Sequence, residues 1–186
     1  MPDHHVCPWW LAYTFDNPLR RLIHKPEKIF GHYVQEGMTV MDIGCGMGYF
    51  TLALAEMVGD RGRVIAVDLQ QKMLDIMLKR ASGKGLAHRI VPHRCEADII
   101  GVTTSADFIL AFWMIHEVAD PANFFTEIAT ILKHSGILLY AEPALHVPEK
   151  KFTNILSAAG NAGLMISGTL TIRFSRAVLL ATKTWA

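Results

Sequence analysis

Residues 40–48 read Val40-Met41-Asp42-Ile43-Gly44-Cys45-Gly46-Met47-Gly48, and Tyr49-Phe50-Thr51 follow. An apolar run ends in an acid, passes three glycines at alternate positions, and enters a helix-period pattern. That order describes a buried strand, a tight turn and a helix N-terminus. Glycines let a ligand approach the backbone of such a turn closely, and the first N–H groups of a helix are unpaired donors. The stretch predicts a site for a nucleotide-like ligand.

From residue 38 onward, short apolar or β-branched runs alternate with helix-period segments, the pattern of stacked βα units. Met38–Ile43 is expected as the first strand. Phe50, Ala53, Leu54, Met57 and Val58 then follow the spacing of a helix face. Arg63–Val67 reads as the second strand, ending at Asp68. The next helix would bury Met73, Ile76 and Met77 and turn Lys72, Lys79 and Arg80 to water. Arg89–Arg94 is a third strand despite Pro92. The unbroken apolar run Phe108–Met114 suits a central parallel strand covered on both faces. Asp120-Pro121 supplies an N-cap and a first-turn proline for a helix turning Phe124, Ile128, Ile131 and Leu132 inward. Gly136 releases the chain into strand Ile137–Ala141. A helix from about Pro148 would place Phe152, Ile155, Leu156 and Ala159 on one face. Leu164–Thr171 and Ala177–Thr182 read as an antiparallel pair. Residues 1–37 form a helical or irregular lead-in, with Pro26 opening a short helix through Ile29, Phe30 and Tyr33.

The 186 residues fit one domain with a real core, 1–186, at 51% hydrophobic and 19% charged. A net charge of +1 gives no electrostatic reason to expect nucleic acid or an anionic membrane. Three cysteines, Cys7, Cys45 and Cys95, form no CxxC and no disulfide framework, which fits a reducing, cytoplasmic setting. No basic-then-apolar leader and no membrane-spanning apolar run is visible. Oligomeric state is not readable.

The glycine spacing is GxGxG. Dinucleotide-binding domains use GxGxxG, and Tyr49 stands where their third glycine is expected. Asp42 lies just before the turn, where it would repel a pyrophosphate but attract an ammonium group. This combination resembles class I S-adenosylmethionine-dependent methyltransferases over roughly residues 26–182. The resemblance takes in Asp42–Gly48, Val67-Asp68, Cys95-Glu96-Ala97-Asp98, Ala106–Leu110 and Ile131–Leu138. It implies an α/β, Rossmann-like, doubly wound seven-stranded mostly parallel sheet with a C-terminal antiparallel strand pair. It also implies S-adenosylmethionine as cofactor and methyl transfer by in-line displacement.

On this resemblance Asp42 and the Gly44–Cys45–Gly46–Gly48 turn would hold the methionine end of the cofactor. Asp68 would accept the ribose hydroxyls, or else cap the following helix. Glu96 and the backbone at Ala97 align with the family's adenine-reading acid, and Asp98 takes that place if the alignment slips by two. A solvated acidic loop is the plainer alternative. Leu69 and Phe112 or Trp113 would pack on the adenine, or simply in the core. Cys45 reads as a small filler.

Methyl transfer from a sulfonium needs an aligned methyl acceptor, and a base only when that acceptor must first lose a proton. Trp113, His116 and Glu117 after the fourth strand, and Glu142 and His146 after the fifth, are candidates to line the acceptor site. His116 is the candidate base, or a loop hydrogen-bonding residue. The Asn/Asp-Pro-Pro-aromatic motif of base-amine methyltransferases is absent, with Phe112-Trp113-Met114-Ile115 in its place. No cysteine near the strand ends supports C5 methylation of pyrimidines, and Cys7 alone does not support arsenite methylation. His4, His5 and Cys7 do not make a convincing metal site. Pro8-Trp9-Trp10, Tyr13 and Phe15 could fold over the cofactor as a lid, or pack on a sheet edge or second subunit. The expected activity is methyl transfer to a small molecule. A protein substrate and a nicotinamide-dependent oxidoreductase remain the alternatives.

Overall fold

The computed structural model describes residues 18–183. The aromatic segment read as a lid or as packing on a sheet edge or second subunit (Pro8, Trp9, Trp10, Tyr13, Phe15), and His4, His5 and Cys7, lie outside them.

Two short helices, α1 (Pro18–Ile23) and α2 (Pro26–Phe30), lead into β1 (Thr39–Ile43). Every residue of β1 is buried, as expected of a strand covered on both faces. The helix α3 (Tyr49–Val58) turns Phe50, Leu54, Ala55 and Val58 to the core. β2 (Arg63–Asp68), α4 (Gln71–Gly83), β3 (Ile90–Arg94), β4 (Ala106–Phe112), α5 (Pro121–Ile131) and β5 (Leu132–Pro143) complete the alternating units. α6 (Glu149–Asn161) then leads to β6 (Leu164–Leu170) and β7 (Ser175–Thr182).

The strands form one seven-stranded sheet ordered β3-β2-β1-β4-β5-β7-β6. β1 to β5 run parallel, and β7 inserts antiparallel between β5 and β6. After β3 the chain crosses back over β1 to lay down β4 on its other side. The order therefore reverses between β1 and β4, and such a switch opens a crevice at the carboxyl ends of the strands.

The pleat sends alternate residues to opposite faces, so the sheet divides the core in two. Val40, Val64, Phe108 and Leu110 pack with α2, α3 and α4 through Phe30, Leu54 and Met77. Met41, Ile65, Ile109 and Tyr140 pack with α5 and α6 through Phe125, Ile128, Phe152 and Ile155.

Four expectations change in detail. The fourth strand stops at Phe112 rather than Met114, because Trp113 turns to φ 62° and breaks the pleat. The fifth strand starts five residues early, at Leu132. α4 buries Leu74 rather than Ile76. Arg80 does not simply face water: its Nη1 donates to the Met47 carbonyl at 3.0 Å. Pro92 is tolerated because β3 is the sheet edge, where a missing N–H breaks no ladder on the open side. The Asp120 cap forms as expected, accepting from the Ala122 and Asn123 N–H groups.

Candidate functional site

The turn after β1 is held mainly from β2. Gly44 and Cys45 both donate to the Val67 carbonyl, at 2.9 and 3.0 Å, and Gly48 N–H closes onto the Cys45 carbonyl. The Arg80 bond to Met47 braces it from α4. The three glycines have different reasons to be glycine. Gly48 sits at φ 86°, and a Cβ there would lie 2.5 Å from Met77 Cγ. Gly44 sits at φ 71°, and its Cβ would lie 2.9 Å from the Met114 side chain. Those two admit protein neighbours. A Cβ on Gly46 would meet nothing within 4 Å, so the backbone there faces open space, as a ligand cradle requires.

Two acids flank this opening. Asp42 is buried, and its Oδ2 accepts from Thr51 Oγ1 at 2.6 Å. Burial pushes its carboxyl up to about 6, against the Thr51 bond and the Arg20 charge, which pull it down. Asp68 is also buried and raised by burial, with backbone N–H groups opposing. Its Oδ2 accepts from Gly46 N–H and its Oδ1 from Gln70 N–H, each at 2.9 Å. The cap position of α4 is Gln70. Asp68 therefore braces the glycine turn rather than capping that helix. Cys45 is buried, and desolvation with the two nearby acids lifts its thiol well above the ordinary range, as suits an inert filler.

Sequence reasoning missed the cation beside these acids. Arg20 on α1 lays its guanidinium 4.7 Å from the Tyr49 ring centroid and 5.0 Å from that of Phe50. It also lies 5.9 Å from both Phe112 and Trp113. His24 meets Phe112 and Trp113 edge-on and bonds the Arg173 carbonyl through Nε2. The lead-in thus closes one side of the crevice. Only the cluster of aromatics at 49, 50, 112 and 113 could have signalled it, and only once those segments were known to meet.

Phe112 is buried within that cluster, edge-on to Phe50 and stacked on Trp113. Leu69 is half-buried, and Glu96 and Ala97 are exposed in a tight turn in which Glu96 N–H donates to the Ile99 carbonyl. Cys95 N–H donates to the Asp68 carbonyl, which fixes this turn next to β2. The Asp98 carbonyl is held by Asn123 Nδ2.

Across the switch point, a 3₁₀ turn (Ile115–Glu117) follows β4. His116 Nδ1 lies 2.7 Å from Glu142 Oε2, and His116 N–H donates to Glu142 Oε1 at 2.8 Å. Glu142 is fully buried at the end of β5. The His146 ring packs edge-on against His116, and Lys151 Nζ donates to the His116 carbonyl. Glu117 Oε1 stands 3.8 Å from His116 Nε2. Trp113 Nε1 donates to Ser175 Oγ, so β7 also reaches this rim. Trp113 (φ 62°) and Phe174 (φ 60°) are the non-glycine residues in left-handed conformation among those described. Both stand at this rim, Trp113 just after β4 and Phe174 just before β7. Among the described residues, no group of three or more His, Cys, Asp or Glu side chains is placed to hold a metal. No helix among them is long and apolar enough to cross a membrane.

The comparisons with known proteins agree with this architecture. The model of a methyltransferase domain family matches residues 34–164, more than half of the chain. A solved S-adenosylmethionine-dependent methyltransferase from Aquifex aeolicus superposes with a TM-score of 0.83 at 23% identity, covering 93% of this chain and 97% of that one. At that identity the likeness speaks for the fold. A demethylmenaquinone methyltransferase of Lactobacillus johnsonii is 35% identical over 104 residues, 55% of this chain and 43% of the relative. A carboxy-S-adenosyl-L-methionine synthase of Dichelobacter nodosus is 32% identical over 124 residues, 65% of this chain and 51% of the relative. The chain spans about half the length of these curated relatives. It belongs to the methyltransferase domain family, and within it to the class I, S-adenosylmethionine-dependent type. S-adenosylmethionine is the cofactor of that class.

Proposed function

We propose that this domain transfers the methyl group of S-adenosylmethionine to a small-molecule acceptor. The observation that carries the reading is the open backbone at Gly46, set between two buried carboxylates at the carboxyl ends of β1 and β2. A buried carboxylate is costly unless a cation or hydrogen bonds compensate it. S-adenosylmethionine has an ammonium group and a ribose diol and carries no phosphate, so it suits an acid-lined turn that would repel a dinucleotide.

In this reading Asp42 faces the ammonium end, and the Gly44, Cys45 and Gly46 backbone follows the methionine chain, with Gly48 shaping the turn. Arg20, close enough to depress Asp42, supplies the opposite charge for the adjoining carboxylate. Acid and base side by side match an amino-acid zwitterion. Asp68 accepts the ribose hydroxyls in exchange for, or alongside, its hold on Gly46. Leu69, Glu96 and Ala97 border the adenine end, and Phe112 supports the crevice from the core. Bound there, the cofactor supplies a methyl group already activated on a cationic sulfur. What the chain adds is alignment of the methyl acceptor and exclusion of water.

The near-neutral charge carries no electrostatic footprint for nucleic acid, which favours a small acceptor. Calorimetry with S-adenosylhomocysteine and with NADH tests the cofactor. Binding of the first alone is expected, and preference for NADH overturns the reading. Incubation of an extract with methyl-tritiated S-adenosylmethionine tests the acceptor. Label in the small-molecule fraction is expected, and label confined to protein overturns it.

A further inference from the structure

We infer that His116 is a general base held ready by Glu142, and that the methyl acceptor is therefore a hydroxyl group that must lose its proton as it attacks. The inference rests on the methyl-transfer reading above and specifies the acceptor side of the same crevice.

Glu142 is fully buried, yet both of its oxygens are spent on one residue: Oε1 on the His116 backbone and Oε2 on its ring, at 2.8 and 2.7 Å. A carboxylate only accepts, so ring Nδ1 is the donor, and in the neutral tautomer that this selects, Nε2 carries the lone pair. The pair fixes tautomer and orientation together. Apolar residues could tie this turn to β5 at less cost than a buried acid, so a tie alone does not account for the choice of residues.

Position agrees. His116 follows Met114, whose side chain packs against Gly44 of the glycine turn. The dyad thus stands two residues from a direct contact with the cofactor loop, at the carboxyl ends of β4 and β5. The charged and titratable groups around it are Glu117 at 3.8 Å from Nε2, the His146 ring, Lys151 on the His116 carbonyl, and Tyr140 on the same strand face as Glu142. Burial and the Glu142 charge push the Tyr140 hydroxyl upward, so it stays protonated. Arg176 pairs in register with Glu142 on β7, but its guanidinium is engaged by the Ala144 and Val147 carbonyls.

The acceptor oxygen gives its proton to His116 Nε2 and forms a bond to the methyl carbon. The carbon–sulfur bond breaks, and its electron pair stays on sulfur as a neutral thioether. Glu142 stabilises the imidazolium, which afterwards releases its proton to water. Glu142 is a positioning residue, since it acts through His116. A thiolate or a free amine would need no such base.

The test is made on the full chain with methyl-tritiated S-adenosylmethionine and the small-molecule fraction of an extract. Nuclear magnetic resonance of the labelled product locates the new methyl group. Methyl on oxygen is expected; methyl on carbon, on sulfur or on an amine nitrogen overturns the inference. With that product in hand, His116→Gln should lower kcat by about a hundredfold, the range of a lost general base. KM and the S-adenosylhomocysteine Kd should stay close to those of the parent. The acid limb of the wild-type kcat profile should vanish in His116→Gln, and Glu142→Gln should lower kcat while leaving KM unchanged. An unchanged limb with kcat largely retained overturns the proposal. The position of the methyl group is read on the unaltered protein, so a variant that misfolds does not shield the inference. Failure of the underlying reading looks different: the cofactor product does not bind, or no label is transferred at all.

Discussion

The two sides of the crevice are built by different means. On the β1–β2 side a short turn presents backbone at Gly46 between Asp42 and Asp68, and all three lie within 27 residues of sequence. On the β4–β5 side the principal polar contact joins side chains 26 residues apart, His116 and Glu142, that meet only because their strands are neighbours. A turn whose function resides in backbone geometry leaves a strict local pattern of glycines. A dyad leaves two unremarkable letters. The first side reads as fixed equipment for one ligand, the second as the place where one family can accommodate many acceptors.

The largest effect expected on the first side concerns Asp42. Its carboxyl is raised from 3.8 to about 6 by burial, so the native state holds a proton that the unfolded state releases. Stability is then fully present below the unfolded value and is lost as pH rises through about 6, by roughly 3 kcal/mol in all. Asp42→Asn keeps an oxygen for Thr51 and removes this loss. Urea melts at pH 4 and pH 8 should show a flatter dependence and a more stable variant at pH 8, with weaker S-adenosylhomocysteine binding. A parallel dependence in both proteins breaks the assignment.

Next comes Asp68→Asn, which should weaken S-adenosylhomocysteine by about 2 kcal/mol, roughly thirtyfold in Kd by calorimetry. If His116→Gln weakens binding as much, the division between the two sides fails. Gly48→Ala should cost about 1–2 kcal/mol of stability in denaturant melts, combining a left-handed φ with a clash on Met77. Gly46→Ala meets no neighbour, so it should cost only about 1 kcal/mol in melts, while its larger effect falls on cofactor affinity. The smallest effect belongs to Arg20→Met, with a Kd for S-adenosylhomocysteine raised about fivefold, near 1 kcal/mol. An unchanged Kd removes Arg20 from the binding surface.

Much of the fold was legible because burial on both faces leaves unbroken apolar runs and because glycines, Asp120 and Pro121 punctuate them. The boundaries that moved did so for tertiary reasons. Trp113 has the composition of a strand residue, and its turn to positive φ is set by where the lead-in and β7 meet it. Arg80 looked solvated because helix periodicity says nothing of a loop carbonyl 33 residues earlier. Leu74 and Ile76 are both apolar on a four-turn helix, and packing chose between them. Within the candidate site, Asp42, Asp68 and the turn are picked out by the glycine spacing together with the family resemblance, and the structure brings them together. The different duties of Gly44, Gly46 and Gly48 could not be read there, since they depend on Met114 and Met77. Arg20 was invisible because its segment shows no periodicity linking it to the sheet.

The reversed direction of β7 has a consequence of its own. Because it runs against its neighbours, its first residue, Ser175, stands opposite Pro143, at the edge where the parallel strands finish. The hairpin bend at 171–174 is thereby delivered to the mouth of the crevice without an intervening helix, and the Arg173 carbonyl there receives His24. A graft of extra residues into that bend would build upward over the β4–β5 side while the glycine turn after β1, five strands earlier in the chain, kept its shape. Diversity of substrate can in this way be added to the architecture at a single peptide bond.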